Sequence, residues 1–294
     1  MKPLLRLALL FALLAGCRQE GLKGGPASEA APATTCRRVI ALTPSLVETL
    51  FALGLGDRVV GVGDYSTWPP EVRDKPRLGG LFNPNLERVL SLKPDLAVFI
   101  PSERDLAGKL EPLGIDTLVV PNESLAEVEQ SFHTIARRCG VPEAGEKLTA
   151  EWRAGLAPEP LPGPPLRVML SVGRQAGRLG DMVIAGKGTS LHELLERLGA
   201  ENAFADAPGL YPRIGLEEVV GRAPDIILEL RVDPPSPELA ASLRDDWQAL
   251  AQIPAVRNGR IEVIAGDYTL IPGPRLPRLY REMRAALSRG REAR

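Results

Sequence analysis

Short apolar runs alternate with amphipathic stretches along most of this chain, and their spacing sets the reading of the fold. The runs lie at 39–42, 59–62, 96–100 and 117–120 in the first half and at 168–172, 183–185, 226–230 and 261–264 in the second. They are rich in Val, Ile and Leu. Unbroken apolar runs of this length read as strands buried on both faces, as in parallel sheets. The stretches between them carry Leu, Val and Ala at helical spacing. The alternation predicts an α/β fold with parallel sheets whose faces are covered by helices.

The pattern also repeats. Ser45-Leu46-Val47-Glu48-Thr49-Leu50-Phe51-Ala52-Leu53-Gly54 is echoed by Ser190-Leu191-His192-Glu193-Leu194-Leu195-Glu196-Arg197-Leu198-Gly199, with six of ten positions identical. Each copy opens on Ser-x-x-Glu, the spacing of a capping box, and closes on a Gly suited to a helix C-terminus. A second echo joins Leu86-Glu87-Arg88-Val89-Leu90-Ser91-Leu92-Lys93-Pro94-Asp95 to Leu216-Glu217-Glu218-Val219-Val220-Gly221-Arg222-Ala223-Pro224-Asp225. In each, a short helix stops at Pro-Asp and a strand follows. Two echoes in the same order predict two related Rossmann-like lobes, 36–141 and 158–294, with a ligand cleft between them. The stretch 142–157, with Glu143, Glu146 and Glu151 on one side, reads as the helix that joins them. One helical crossover is a stiff joint, so limited closure is expected.

The N-terminus changes the picture of location. Lys2 and Arg6 precede an apolar run at 7–15 that is too short to span a bilayer, which marks an export signal over 1–16. Leu14-Ala15-Gly16-Cys17 matches a lipobox, so Cys17 is expected to carry the lipid of an anchored lipoprotein, periplasmic if the cell is Gram-negative. Residues 17–35, rich in Gly, Ala, Pro and Glu, read as a flexible tether. Charge is balanced, 36 Lys plus Arg against 37 Asp plus Glu, and no basic block suggests nucleic acid.

Candidate chemistry is sparse. The stretch 185–190 superficially resembles a phosphate-binding loop, yet Asp181 stands where its first Gly belongs and Gly188 replaces its hydroxyl residue. No nucleophile elbow, metal triad or histidine base is evident, so no catalytic or metal site is expected and an extracytoplasmic hydrolase is disfavoured. His133 and His192 read as helix-surface residues. Ligands of parallel α/β lobes bind beyond the carboxyl ends of the strands. Tyr65, Trp68, Phe82, Tyr211 and Tyr268 sit on loops at that expected edge and would line a flat-sided, largely apolar cleft. Each ring has an alternative place, packed onto its own lobe. Phe51, Phe99, Phe132 and Phe204 read as core, with Trp152 and Trp247 packing the connector and a late helix. The same topology brings Cys36, just before the first strand, and Cys139, at the end of a returning helix, to the edge opposite the cleft. There they form a disulfide or remain two buried thiols.

Arg38-Val39-Ile40-Ala41-Leu42-Thr43-Pro44-Ser45, Tyr65-Ser66-Thr67-Trp68-Pro69-Pro70, Asn85-Leu86-Glu87-Arg88, Leu92-Lys93-Pro94-Asp95-Leu96, Ala185-Gly186-Lys187-Gly188-Thr189-Ser190 and Pro272-Gly273-Pro274-Arg275 together resemble the helical-backbone (class III) periplasmic binding proteins of ABC importers, over about 38–287. Within that family the likeness is nearest to binders of cobalamin and of ferric siderophores. The resemblance implies a monomeric binding protein, not an enzyme, whose ligand is a cobalt corrinoid or a ferric chelate. Its partner would be a permease dimer with its ATPase subunits. It further implies that Glu87 and Glu217, one on each lobe, dock onto permease arginines, although a carboxylate in a first helical turn is favoured by the helix dipole alone. Leu81 and Phe82, and Tyr211, stand where cobalamin binders have tryptophans, and Ile271 stands where they have an arginine. Cobalamin or a related corrinoid is the expected ligand, a ferric siderophore the alternative, and haem a lesser one.

Overall fold

The computed structural model describes residues 36–81, 83–234 and 236–292; Phe82, Cys17, and the expected signal and tether lie outside them. In the first lobe β1 (Val39–Ala41), α1 (Pro44–Ala52), β2 (Val59–Val62), a short pair β3 (Gly79–Gly80) and β4 (Asn83–Pro84), α2 (Leu86–Ser91), β5 (Leu96–Phe99), α3 (Arg104–Leu110), β6 (Asp116–Val119) and α4 (Leu125–Arg138) follow in order. The main sheet is parallel throughout, in the order β2-β1-β5-β6. Side chains alternate across a strand. Val39, Ala41, Leu96 and Val98 therefore enter one buried cluster, and Ile40, Ala97 and Phe99 enter the other.

After α5 (Pro142–Gly155), the second lobe comprises β7 (Arg167–Gly173), β8 (Met182–Ile184), α6 (Ser190–Arg197), β9 (Glu201–Asn202), β10 (Arg213–Ile214), α7 (Leu216–Arg222), β11 (Ile226–Arg231), α8 (Pro237–Asp245), α9 (Pro254–Arg257), β12 (Ile261–Ala265) and α10 (Leu276–Glu292). Its sheet order is β10-β8-β7-β11-β12, with β9 also beside β7. β7, β11 and β12 are parallel, as the apolar runs predict, and the two-residue β9, which no run predicts, also lies parallel to β7. β8 corrects that reading, because it runs antiparallel to β7. A parallel return needs a crossover of a dozen or more residues, and only the segment 174–181 is available.

The second echo has a shared structural cause. Asp95 accepts backbone N–H bonds from Arg37 and Arg38 at the foot of β1, and the Arg38 guanidinium donates to the Leu92 and Lys93 carbonyls at the end of α2. In the second lobe Asp225 accepts from the Arg167 N–H at the foot of β7, and the Arg167 guanidinium donates to the Arg222 carbonyl at the end of α7. The residue before each proline, Lys93 or Ala223, takes a left-handed conformation with φ of 46° or 47°. One latch, built twice, ties a helix end to a strand start.

The first echo is conserved as helices, with its caps placed differently. Thr43 is the N-cap of α1 and Pro44 its first residue, so Ser45 and Glu48 are buried inside the helix and do not form a capping box. In α6 the cap is Thr189, whose side chain accepts from the His192 N–H. Glu193 is then free to accept the N–H of Leu125 at the start of α4. Gly54 and Gly199 follow the two helices with φ of 74° and 67°, a conformation that only glycine adopts cheaply. His192 is another correction: it is buried, between Asn202 and Glu196.

α5 is about 21 Å long at 1.5 Å per residue. It packs closely on α4, since a Cβ at Gly145 would meet the Ala136 Cβ at 2.7 Å. Its Trp152 ring stands edge-on to Phe132, 5.6 Å away, and its Nε1–H donates to the Gly273 carbonyl of the second lobe at 3.1 Å. Leu148 touches the main cores of both lobes. A helix held at both ends by buried apolar contacts resists bending more than a pair of loops would. At the base of the first lobe Cys36 and Cys139 are bonded, with Cα atoms 5.1 Å apart.

Candidate functional site

The loop after β2 carries Tyr65 and Trp68, which are 77% and 44% exposed. Arg77 fastens this loop to its own lobe by donating to the Gly63 and Ser66 carbonyls. Tyr211, 40% exposed, lies between β9 and β10 in a segment tied to the end of β8 by Gly186 N–H donating to the Leu210 carbonyl and Ile184 N–H to the Pro212 carbonyl. Gly186 is required there, because a Cβ would meet the Gly209 carbonyl oxygen at 2.7 Å.

Tyr268 is not a cleft residue. It is 3% exposed within the second lobe's core, flanked by the guanidiniums of Arg275 and Arg278, and its hydroxyl donates to Glu282. Burial, reinforced by the Glu282 carboxylate, pushes its hydroxyl up to about 12. In the loop after β12 the Tyr268 ring lies against Gly266, where a Cβ would meet its Cε1 at 2.3 Å. Position on a loop could not distinguish a buried ring from an exposed one.

Two contacts bridge the lobes at the carboxyl edge. On one side the Tyr211 hydroxyl faces the Glu123 carboxylate at the head of α4, and the Ser190 N–H donates to the Glu123 carbonyl at 2.6 Å. Burial raises Tyr211 above the usual tyrosine range, with Glu123 adding to it, and burial likewise raises Glu123. On the other side Arg275 of the second lobe donates two bonds to Glu48 of α1, at 2.9 and 2.6 Å, and one to Asp267 at 2.7 Å. Asp267 also accepts from the Thr67 hydroxyl at 2.9 Å. Burial raises the Glu48 carboxylate above its ordinary value against the opposing pull of Arg275. Sequence reasoning missed this pair; the signal was a carboxylate at 48 set among Leu46, Val47 and Leu50 on an apolar helix.

Cavities lie beside both contacts. One, of about 190 Å3, is lined by Val172, Leu191, Tyr211, Leu270, Ile271 and Leu276 among others, and is mostly apolar. The second, of about 360 Å3, is lined by Trp68 and Thr67 with Arg73, Arg77, Arg275, Arg278 and Asp267. The expected rings are therefore divided: Tyr211 lines the apolar cavity and Trp68 the arginine-rich one. Ligand sites usually span roughly 300 to 1,000 Å3, so the apolar cavity alone admits a fragment of a large ligand.

Glu87 and Glu217 occupy equivalent places, each exposed in the first turn of its helix, α2 or α7. Neither carboxylate has an ion-pair partner among the described residues. No helix among those residues is long and apolar enough to cross a membrane, and no cluster of three or more His, Cys, Asp or Glu is placed to hold a metal.

Comparison with known proteins agrees with this architecture. A vitamin B12-binding protein of Vibrio cholerae serotype O1 is 28% identical over 245 residues, covering 81% of this chain and 84% of its own. The ABC transporter substrate-binding lipoprotein YvrC of Bacillus subtilis (strain 168) is 31% identical over 247 residues, covering 82% and 76%. A periplasmic haem-binding protein of Pseudomonas aeruginosa superposes with a TM-score of 0.72 at 25% identity, covering 85% and 92%. These relatives are binding proteins, not enzymes. With its profile matching residues 39–268, this chain belongs to the periplasmic binding protein family.

Proposed function

We propose that this protein captures cobalamin or a related corrinoid outside the cytoplasm and delivers it to an ABC permease, held at the membrane by lipid on Cys17. The observation that carries the ligand class is the placement of aromatic side chains. In a chain only 4% aromatic, Tyr65, Trp68 and Tyr211 are exposed on loops, Tyr211 lining the apolar cavity that Leu270 and Ile271 complete and Trp68 the arginine-rich one. Exposed rings with polar tips suit a large, flat ligand with an apolar face and an amide-bearing rim. The V. cholerae relative named for vitamin B12 supports the same class. The two exposed carboxylates Glu87 and Glu217, one per lobe, supply a pair of handles for a two-fold permease.

A ferric siderophore is the second reading, favoured by the four arginines around the Trp68 cavity. Arg77, which donates to backbone carbonyls rather than to a carboxylate, would suit an anionic group of a ferric chelate. Native mass spectrometry of freshly purified protein, with cyanocobalamin or a ferric siderophore added in turn, separates the two. A 1:1 corrinoid adduct is expected; an adduct with the ferric chelate alone would replace the first reading with the second.

A further inference from the structure

Trp68 belongs to the first lobe, yet its ring is held from the second. The Arg275 guanidinium lies 5.3 Å from the Trp68 ring centroid. The same guanidinium has every edge engaged: Nε and Nη2 on Glu48, Nη1 on Asp267. A planar cation fixed on two sides cannot swing to follow a ligand, so it acts as a wall. Trp68 and Arg275 together line two cavities, of about 360 and about 300 Å3, which makes the stacked pair the partition between them. The neighbouring Thr67 hydroxyl donates to Asp267, which gives the loop a second tie to the other lobe. The turn that carries Arg275 is itself seated, because Gly273 accepts the Trp152 Nε1–H bond from α5.

We infer that Arg275 is a positioning residue: anchored by Glu48 across the lobe junction, it fixes the Trp68 ring and so couples the spacing of the lobes to the shape of the cleft. The Glu48–Arg275 pair is buried, at 2% and 11% side-chain exposure, and its bidentate form fixes direction as well as distance. Arg77 holds the backbone of the same loop from within the first lobe. The inference therefore concerns the ring, over which the Arg275 guanidinium lies. Its consequence for capture rests on reading Trp68 as a ligand contact, while its test needs no ligand, so the two fail separately.

Tryptophan fluorescence reads the ring directly. Trp152 and Trp247 are 4% and 0% exposed against 44% for Trp68, so acrylamide reaches Trp68 first, and Trp68→Phe identifies its share of the signal. Glu48→Gln keeps Asp267 as a counter-ion for Arg275 and preserves the shape of the buried site. A Glu48→Met, Arg275→Met double variant removes both charges of the buried pair; Asp267, 43% exposed, keeps solvent and its Thr67 bond. In both variants the Trp68 quenching constant is expected to rise about twofold or more as the ring is released, with cooperative melting retained. Wild-type quenching in either cooperatively folded variant would overturn the inference. So would an equal rise in the Trp68→Phe background, since that reports general loosening of the buried tryptophans.

Discussion

Tyr211 and Tyr268 share a side chain and have opposite surroundings, so their variants should separate capture from stability. Tyr211→Ala removes a half-exposed ring whose hydroxyl also faces Glu123; it is expected to weaken corrinoid binding about tenfold or more and to cost about 1 kcal/mol of stability. Tyr268→Ala empties a core site and should cost about 3 kcal/mol. Calorimetric melting beside a binding titration checks both, and reversed outcomes would exchange the two assignments. The carboxylates on Arg275 also titrate in opposite senses. Burial opposes ionisation of Asp267, yet its bonds from Arg275 and Thr67 hold it below the ordinary value of 3.8. A lowered folded value means the stability it contributes is present above about pH 3.8 and is lost as pH falls through the folded value. Glu48 is raised above 4.5, so its contribution is present below 4.5 and is lost as pH rises through its folded value. Melting across pH 3 to 7 should therefore show the deficit of Asp267→Asn shrinking towards the acid end. A deficit independent of pH would contradict the ionised state assigned to Asp267.

At the scale of elements, most of the fold was legible because local pattern and tertiary demand agree. The apolar runs became strands within a residue or two of their expected ends, and 142–157 contains α5. The repeat was legible too, and its cause, Asp95 and Asp225 gripping the feet of β1 and β7, explains why Pro-Asp recurs. What failed was direction and long-range pairing. Nothing in the residues of β8 marks it as antiparallel; the shortness of 174–181 does. Glu48 looked like half of a capping box because its partner, Arg275, lies 227 residues away. Cys36 and Cys139 were placed at one edge by topology, with bonded and free forms both open. The bond closes a separation of 103 residues, which in the chain-entropy account stabilises by about 4 to 5 kcal/mol. Thiol titration of denatured, unreduced protein, with Cys17 left out of the count, should find no free thiol, and reduction should lower the melting temperature. Two titratable thiols would exclude the disulfide.

For the whole molecule, the proposed function divides labour between a junction that would hold ligand and surfaces that would meet the permease. Glu87 and Glu217 are exposed, on different lobes, and contribute to neither cavity at the junction. A Glu87→Ala, Glu217→Ala double variant is accordingly expected to bind ligand as the wild type does and to fail in cellular uptake. Normal uptake would remove the docking role. The lobes themselves are held by α5 and by the Glu48–Arg275 and Glu123–Tyr211 contacts, an arrangement that favours small adjustments over a wide opening. The central claim is ligand capture at that junction, and equilibrium titration of the purified protein with cyanocobalamin, followed by isothermal calorimetry, tests it most directly. The account predicts saturable 1:1 binding that weakens in both Trp68→Ala and Tyr211→Ala; absence of binding, or binding indifferent to both substitutions, would contradict it.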